Sequence, residues 1–297
     1  MNTVNERSRA KLNLSLDVLS RREDGYHDLK MVMCSVDFGD EVAVTLRSDG
    51  EIRCESNLPW LPRDSRNLAV RAVNVFFEAL GEKNPGADLK LIKRIPVGSG
   101  MAGGSANAAS VLRALNRLTG DRLNPAELRR IGLAVGSDVP YCIAGGNALA
   151  EGRGEILTPL PEMPECTVLI CKPSFSVSTP ELFGRIDSHP TRTHPDTAGL
   201  ISAMERKDLN GVARRMYNVF EDVLPRGSRE ILAIRGELLD RGALGAVMTG
   251  TGSAVFGLFD DPARAESALN SFLGRYRDCC LTKICSEPYG IDSTYGI

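Results

Sequence analysis

A glycine-rich stretch at residues 95–109 is the part of this sequence best suited to chemistry. Within seven positions it carries four glycines, at Gly98, Gly100, Gly103 and Gly104. Glycine adopts positive φ readily and has no Cβ to keep a ligand away from the backbone. Such a loop can wrap closely around a bound group.

A helix is predicted directly after this loop. Ser105 opens a run of small residues, and apolar side chains then recur at helical spacing, at Ala108, Val111, Leu112, Leu115 and Leu118. The N-terminus of this helix therefore faces the loop. Its free N–H groups and the positive end of its dipole favour an anion, most naturally phosphate.

Two common nucleotide-binding motifs do not fit the loop. A Walker loop ends in Gly-Lys-Ser/Thr, whereas Gly103-Gly104-Ser105 has no lysine. The spacing of Gly98, Gly100 and Gly103 matches the dinucleotide fingerprint, but Asp121 follows a helix and a turn. In the dinucleotide fold the ribose-binding carboxylate ends a second strand, so both motifs are rejected.

Polar residues that could act with a phosphate lie at two other places. Lys11 and Asn13 share one face of a predicted strand at the start of the chain, where apolar and polar residues alternate. Asp138 lies in a loop at the end of a predicted helix, a position for chemistry or for a helix cap.

The elements expected around these residues divide the chain into two halves. The first opens with an antiparallel sheet whose second and third strands are predicted at 29–36 and 41–47. Asp64 or Ser65 is expected to cap a helix, which a strand at 88–93 follows. A linker near 159–164 suggests a boundary that separates residues 1–160 from 161–297.

The second half has a different order of elements. A buried strand at 167–172 precedes several helices, one of them predicted over 209–223, and then two strands, a helix and a final strand. This order of β, helices, β, β, α, β indicates a split βαβ sandwich with added helices.

Composition limits the class of protein. The 297 residues are 42% hydrophobic and 25% charged, with a net charge of −2, as in a soluble globular protein without a nucleic-acid footprint. We expect a cytoplasmic location, since no apolar run reaches the length of a membrane span and the N-terminus is polar. The eight cysteines lack a Cys-x-x-Cys pair and are expected to be reduced thiols.

These motifs together resemble a known family. The loop after Pro96 resembles the phosphate loop of the GHMP kinases, which phosphorylate small alcohols, and the segment 249–253 resembles their third motif. Four further segments are similar to the family members that act on 4-diphosphocytidyl-2-C-methyl-D-erythritol in the non-mevalonate isoprenoid pathway; they lie at 10–14, 22–27, 136–140 and 150–155.

The resemblance implies a two-lobed α/β fold of the α+β type. Residues 1–160 would form an ATP-binding lobe like ribosomal protein S5, and residues 161–297 a ferredoxin-like lobe with added helices. ATP, accompanied by Mg²⁺, would bind the glycine loop and pass its γ-phosphate to the 2-hydroxyl of an acceptor in the cleft. The expected partners are these small molecules, ATP and a cytidine-diphosphate-linked polyol, with neither nucleic acid nor membrane, and the expected state is a monomer or weak homodimer.

The resemblance also implies roles for particular residues. Lys11 and Asp138 would be the catalytic pair, with Asp138 accepting the hydroxyl proton and Lys11 orienting the hydroxyl. The expected nucleotide contacts are Asn67, Leu68, Lys93, Pro96, Val97, Gly98, Ser99, Gly100, Met101, Ala102, Gly103, Gly104, Ser105 and Ala106. The expected acceptor contacts are Asn13, Tyr26, His27, Asn107, Asp138, Thr179 and Phe183. Ser105 is a candidate magnesium ligand, and Arg153 and Glu155 are expected to be scaffolding of a hairpin.

Two alternatives stay open at this stage. The enzyme could phosphorylate another small alcohol such as mevalonate or homoserine, against which the turn from Asp24 to His27 argues. The chain could instead be a non-catalytic nucleotide-binding or RNA-binding module. The presence of both Lys11 and Asp138 and the lack of excess basic charge argue against that reading.

Overall fold

One long sheet runs through the computed structural model, which describes residues 2–189 and 193–289. The strands of its first half are β1 (Thr3–Arg21), β2 (His27–Leu46), β3 (Ile52–Ser56), β4 (Ala87–Ile92), β5 (Asn147–Gly152) and β6 (Ile156–Pro159). The helices of that half are α1 (Leu68–Leu80), α2 (Gly103–Leu118), α3 (Pro125–Val135) and α4 (Val139–Ala144).

The second half contributes further strands and helices. Its strands are β7 (Thr167–Lys172), β8 (Tyr217–Asn218), β9 (Gly245–Met248), β10 (Val255–Phe259) and β11 (Asp278–Cys285). Its helices are α5 (Thr179–Ser188), α6 (Thr197–Glu205), α7 (Leu209–Ala213), α8 (Arg229–Asp240) and α9 (Pro262–Leu273).

Strand β2 joins the two halves. It pairs antiparallel with β1, β4 and β5 of the first half and with β11 of the second, where Ile284 lies opposite Val36. Because β2 is one continuous strand that pairs with all four neighbours, the predicted second and third strands form a single element. Register shifts in the β1–β2 ladder accommodate its length.

The second half has the split βαβ arrangement expected from its order of elements. The strands lie in the order β11-β7-β10-β9, and each neighbouring pair is antiparallel. The first and last strands of this half are therefore adjacent in the sheet. The predicted α/β fold with a ferredoxin-like second half is confirmed.

Helix α2 begins at Gly103 and packs against β1, α1 and α4. Its buried face includes Ala108, Val111, Leu112 and Leu115, which are fully inaccessible to solvent. Burial of this apolar stripe fixes the helix on the sheet, so the start of the helix is held rigidly at the end of the glycine loop.

Two predicted element boundaries are wrong. Helix α1 is capped by Asn67, whose Oδ1 accepts from Ala69 N at 3.1 Å, because the Asp64 carboxylate is engaged by Arg66 instead. The predicted helix over 209–223 ends at Ala213, since β1 recruits residues 217–218 as a parallel neighbour.

Candidate active site

A cavity of about 1020 Å³ lies between the two halves of the chain. Its walls come from β1, the turn before β2, the glycine loop, the start of α2, the segment before α4, helix α5 and the loop between β9 and β10. It is large enough to hold two small molecules side by side.

The glycine loop is fixed on both sides. Gly98 and Gly100 have φ of 66° and 77°, and Ala102, the residue before α2, has φ of 58°. A Cβ on Gly100 would lie 2.1 Å from the carbonyl oxygen of Thr249, so only glycine allows this close approach. On the other side the backbone N–H of Lys11 donates to the carbonyl of Met101 at 3.2 Å.

A buried polar network supports the start of this loop. The Lys93 ammonium donates to the fully buried Asp40 carboxylate and to Asn107 Oδ1, the latter at 2.9 Å. The second oxygen of Asp40 accepts from the backbone N–H of Arg94 and Ile95, at 2.6 and 2.8 Å. Burial lowers the pKa of Lys93, while Asp40 opposes that shift. Lys93 and Asn107 line the cavity, but their polar atoms are largely used to hold the loop.

Lys11 is held by the loop between β9 and β10. Its Nζ donates to Asn13 Oδ1 at 2.6 Å, and the same oxygen accepts from the backbone N–H of Gly250 at 2.9 Å. The Thr249 hydroxyl accepts from the backbone N–H of Asn13 at 3.1 Å. The buried Asn218 amide stabilises the same loop by donating hydrogen bonds to the carbonyls of Met248 and Gly250.

Asp138 presents a carboxylate that the fold does not use. It precedes α4, but its side chain does not cap that helix. Within the described residues its carboxylate has no hydrogen bond or ion pair, and it lines the cavity, as Lys11 does. Both groups act on the same buried thiol: burial raises the pKa of Cys142, Asp138 raises it further and Lys11 opposes the rise. A cation and a free carboxylate therefore line the same cavity.

The other end of the cavity is aromatic. The rings of His27 and Phe183 are stacked with centroids 4.6 Å apart, and Phe220 meets Phe183 edge to face. His27 Nε2 bonds Asp187 Oδ1 at 2.7 Å; because a carboxylate only accepts, Nε2 carries the proton. Nearby, the half-exposed Tyr26 lies under the Arg153 guanidinium.

Most of the predicted site residues line this cavity, but three do not. Asn13, Met101 and Ala106 are buried behind its wall, with 0, 0 and 1% exposure. Asn13 Oδ1 accepts from Lys11 Nζ and from the backbone N–H of Gly250, so this oxygen supports Lys11. Thr179 lines the cavity, and its hydroxyl bonds Thr251 of the β9–β10 loop at 2.8 Å.

Sequence reasoning missed several residues that line the cavity, among them Asp187 and Arg153. Asp187 lies four positions after Phe183 on α5, a spacing that places both on one helix face and could have indicated a pair. Arg153, expected to be scaffolding, lines the cavity. No cluster of metal-ligating side chains large enough to hold an ion by itself occurs within residues 2–189 and 193–289.

Comparison with known proteins identifies the family. The models for the GHMP kinase N-terminal and C-terminal domains match residues 67–146 and 200–278. The 4-diphosphocytidyl-2-C-methyl-D-erythritol kinase of Alkaliphilus metalliredigens is 41% identical over 287 residues, covering 97% of this chain and 98% of that protein. The chain belongs to the GHMP kinase family. The protein is accordingly an ATP-dependent kinase of small molecules, and the alternative of a non-catalytic module is wrong.

Further relatives agree on the fold. The enzyme of the same name from Acetivibrio thermocellus is 39% identical, covering 95% of this GHMP kinase and 99% of that protein. The crystal structure of a 4-(cytidine 5'-diphospho)-2C-methyl-D-erythritol kinase superposes with a TM-score of 0.80 at 30% identity over 96% of this chain and all of that one. A homoserine kinase from Cytophaga hutchinsonii shares the fold at 19% identity and a TM-score of 0.74. The superposition covers 96% of this chain and 95% of that one.

Of the helices in the described part of the chain, none has the length and apolar character needed to span a bilayer.

Proposed function

We propose that this GHMP kinase transfers the γ-phosphate of ATP to the 2-hydroxyl of 4-diphosphocytidyl-2-C-methyl-D-erythritol. One observation carries the proposal: a single cavity joins a helix N-terminus to an aromatic pocket, and Lys11 and Asp138 face that cavity. The names of relatives about 40% identical to this chain over almost its whole length support the same acceptor.

The nucleotide end of the cavity is suited to a triphosphate. The first residues of α2, from Gly103 to Ser105, have backbone N–H groups without partners inside the helix, and these favour phosphate oxygens. Asn67 and Leu68, at the start of α1, line the wall beside them and would contact the adenosine. Positive charge at this end comes from the helix dipole more than from Lys93, whose ammonium is paired with Asp40.

Lys11 and Asp138 are suited to activating a hydroxyl. A hydroxyl bound to Asp138 would donate its proton to that free carboxylate, while the Lys11 ammonium would hold the hydroxyl oxygen. An alcohol is a far weaker acid than a carboxylic acid, so the proton moves late in the transfer and Asp138 mainly aligns the nucleophile. This division of labour suits phosphoryl transfer, which depends on positioning and charge neutralisation.

The same region can accept a nucleotide-bound Mg²⁺. Magnesium commonly takes one or two protein oxygens and completes its shell with phosphates and water. A Cβ at Gly136 would lie 3.8 Å from the Ser105 hydroxyl, which places that hydroxyl beside the segment that carries Asp138. Ser105 is the residue that would hold the ion, with phosphate oxygens and water completing its shell. When bound, Mg²⁺ neutralises charge on the transferred phosphoryl group.

The aromatic end favours a nucleobase over a small alcohol. In the tautomer whose Nε2 proton is directed at Asp187, the His27 ring offers Nδ1 as an acceptor, which matches the exocyclic amino group of cytosine. Tyr26 and Phe183 supply ring faces for stacking. Mevalonate and homoserine have no aromatic ring that would stack on these faces.

A coupled ADP-release assay across candidate acceptors tests the proposal. We expect turnover with the cytidyl-linked methylerythritol and almost none with free methylerythritol 4-phosphate, mevalonate or homoserine, because an acceptor without the base leaves buried polar groups unpaired. Comparable kcat/KM with any acceptor that lacks the cytidyl group would contradict the assigned substrate and leave the kinase assignment intact.

A further inference from the structure

Arg153 occupies the tip of the β5–β6 hairpin. The tip is formed by Gly152 and Gly154, with φ of 68° and 110°, and the backbone N–H of Arg153 donates to Glu155 Oε2 at 2.6 Å. These contacts hold the backbone of the turn. The side chain has a different environment, because it lines the cavity between the two halves of the chain.

The Arg153 guanidinium covers one face of Tyr26. Its Cζ lies 3.5 Å from the centroid of that ring, which is close stacking for a guanidinium. Tyr26 is still 49% exposed, so a large part of its surface is open to a ligand. The contact holds the aromatic ring in place at the acceptor end of the cavity.

The positive charge of Arg153 has no ion-pair partner in the described part of the chain. Three other cations of the cavity wall are paired: Lys93 with Asp40, Arg66 with Asp64, and Arg21 with Asp187. Across the described ranges, Arg153 forms no ion pair, and its buried Nε has no hydrogen-bond partner. Asp24 feels its charge, but the Asp24 carboxylate is bonded to Arg22 and to the backbone of Tyr26.

The position of Arg153 lies between the aromatic end and the catalytic carboxylate. Tyr26 is on one side, and on the other the hairpin tip approaches the segment before α4, since a Cβ at Gly154 would lie 3.8 Å from the carbonyl oxygen of Ser137. A cytidyl-linked polyol has its groups in the matching order of base, diphosphate and polyol. The unpaired guanidinium lies between the two ends of the cavity, as the diphosphate does between the base and the polyol.

We propose that Arg153 binds the diphosphate of the acceptor while it holds Tyr26 against the pyrimidine, an assignment that rests on the proposed function. A guanidinium presents paired N–H donors in a plane that matches phosphate oxygens, and charge-assisted hydrogen bonds of this type are strong. Arg153 is thus a substrate-binding residue that selects acceptors with a diphosphate.

Calorimetric binding of cytidine and cytidine diphosphate tests this role, with the nucleotide site filled by a non-hydrolysable ATP analogue. For Arg153→Gln we expect the affinity for cytidine diphosphate to fall about 10- to 100-fold, as for loss of a charged hydrogen bond, and that for cytidine about threefold or less. Arg153→Lys should restore most of the preference for the diphosphate. The exposed Arg130→Gln on α3 is the control and should change neither affinity.

Two outcomes would overturn the assignment. Equal losses for cytidine and cytidine diphosphate would mean that Arg153 acts only by supporting Tyr26. Unchanged affinity for both would mean that the hairpin is scaffolding. Turnover separates this test from the proposed function, because a wild-type enzyme that phosphorylates the cytidyl-linked acceptor while Arg153→Gln binds cytidine diphosphate normally contradicts only the role of Arg153.

Discussion

At the scale of single residues, some charged side chains of the cavity are paired with an opposite charge and others are not. Lys93 and Asp40 neutralise one another, whereas the Asp138 carboxylate has no partner within the described residues. A carboxylate kept free at a cavity wall is available to a ligand. This contrast distinguishes a group that positions the loop from a group that is available to a ligand.

Asp138→Asn should lower kcat about 10²-fold or more, because the amide keeps the shape and removes both the proton acceptor and the charge. Affinity for an ATP analogue should stay within about threefold, since the helix N-terminus that binds the phosphates is unchanged. Steady-state kinetics and calorimetry measure the two effects. A variant that retains more than about a tenth of wild-type turnover would remove Asp138 from catalysis.

Asp187→Ala should weaken the preference for cytidine over uridine. The His27 ring would lose the acceptor that fixes its tautomer, so Nδ1 would no longer be reserved as an acceptor for an amino group. The ratio of kcat/KM for cytidyl and uridyl acceptors should fall about five- to tenfold, as for one hydrogen bond. Arg21→Gln removes the other partner of Asp187 and should leave this ratio within about twofold. An unaltered ratio in Asp187→Ala would show that discrimination arises elsewhere.

At the scale of elements, the conformation of the glycine loop depends on its contact with the loop between β9 and β10. Gly100→Ala combines strain at φ of 77° with a clash against the backbone of Thr249. We expect at least about a tenfold loss of affinity for an ATP analogue, because the loop must move to relieve the contact.

Gly81→Ala is the matched control for this variant. Gly81 ends α1 with φ of 67°, but nothing lies within 4 Å of an added Cβ. The Gly81→Ala variant should lower the free energy of unfolding by about 1 kcal/mol through backbone strain and leave nucleotide affinity unchanged. Equal nucleotide affinities in Gly100→Ala and wild type would mean that the loop tolerates displacement.

Local sequence patterns were enough to predict the helices and strands that have a clear local periodicity or cap. The α2 stripe, the helix α3 that ends before Asp138 and the β1 strand with its alternating sequence all form as expected. The end of α7 was not predictable, because Tyr217 and Asn218 pair with β1, and a pairing between residues about 200 apart leaves no local signature.

The site was predictable where a motif is continuous in sequence and much less so where it depends on packing. The glycine loop, Lys11 and Asp138 were identified from their motifs and line one cavity. Asn13 shares the Lys11 motif, but whether its amide faces a ligand or the lysine depends on Gly250 from the other half of the chain. Likewise, the Arg153 side chain acquires a role only when the hairpin meets Tyr26.

At the scale of the whole molecule, the two halves share a core. Strands β2 and β11 join them in one sheet, and each of the two apolar clusters contains residues from both halves. The boundary near residue 160 stays a prediction about sequence organisation. We expect a single calorimetric unfolding transition whose calorimetric and van't Hoff enthalpies agree. Two resolved transitions would show that the lobes unfold separately.

The central claim is that the cavity transfers a phosphoryl group from ATP to one hydroxyl of a cytidyl-linked acceptor. Phosphorus NMR of the reaction with 4-diphosphocytidyl-2-C-methyl-D-erythritol tests it most directly. We predict ADP and one new phosphomonoester on the 2-hydroxyl, formed in equal amounts, with the cytidine diphosphate linkage intact. ADP release without a new phosphomonoester, or phosphorylation at a different hydroxyl, would contradict the account.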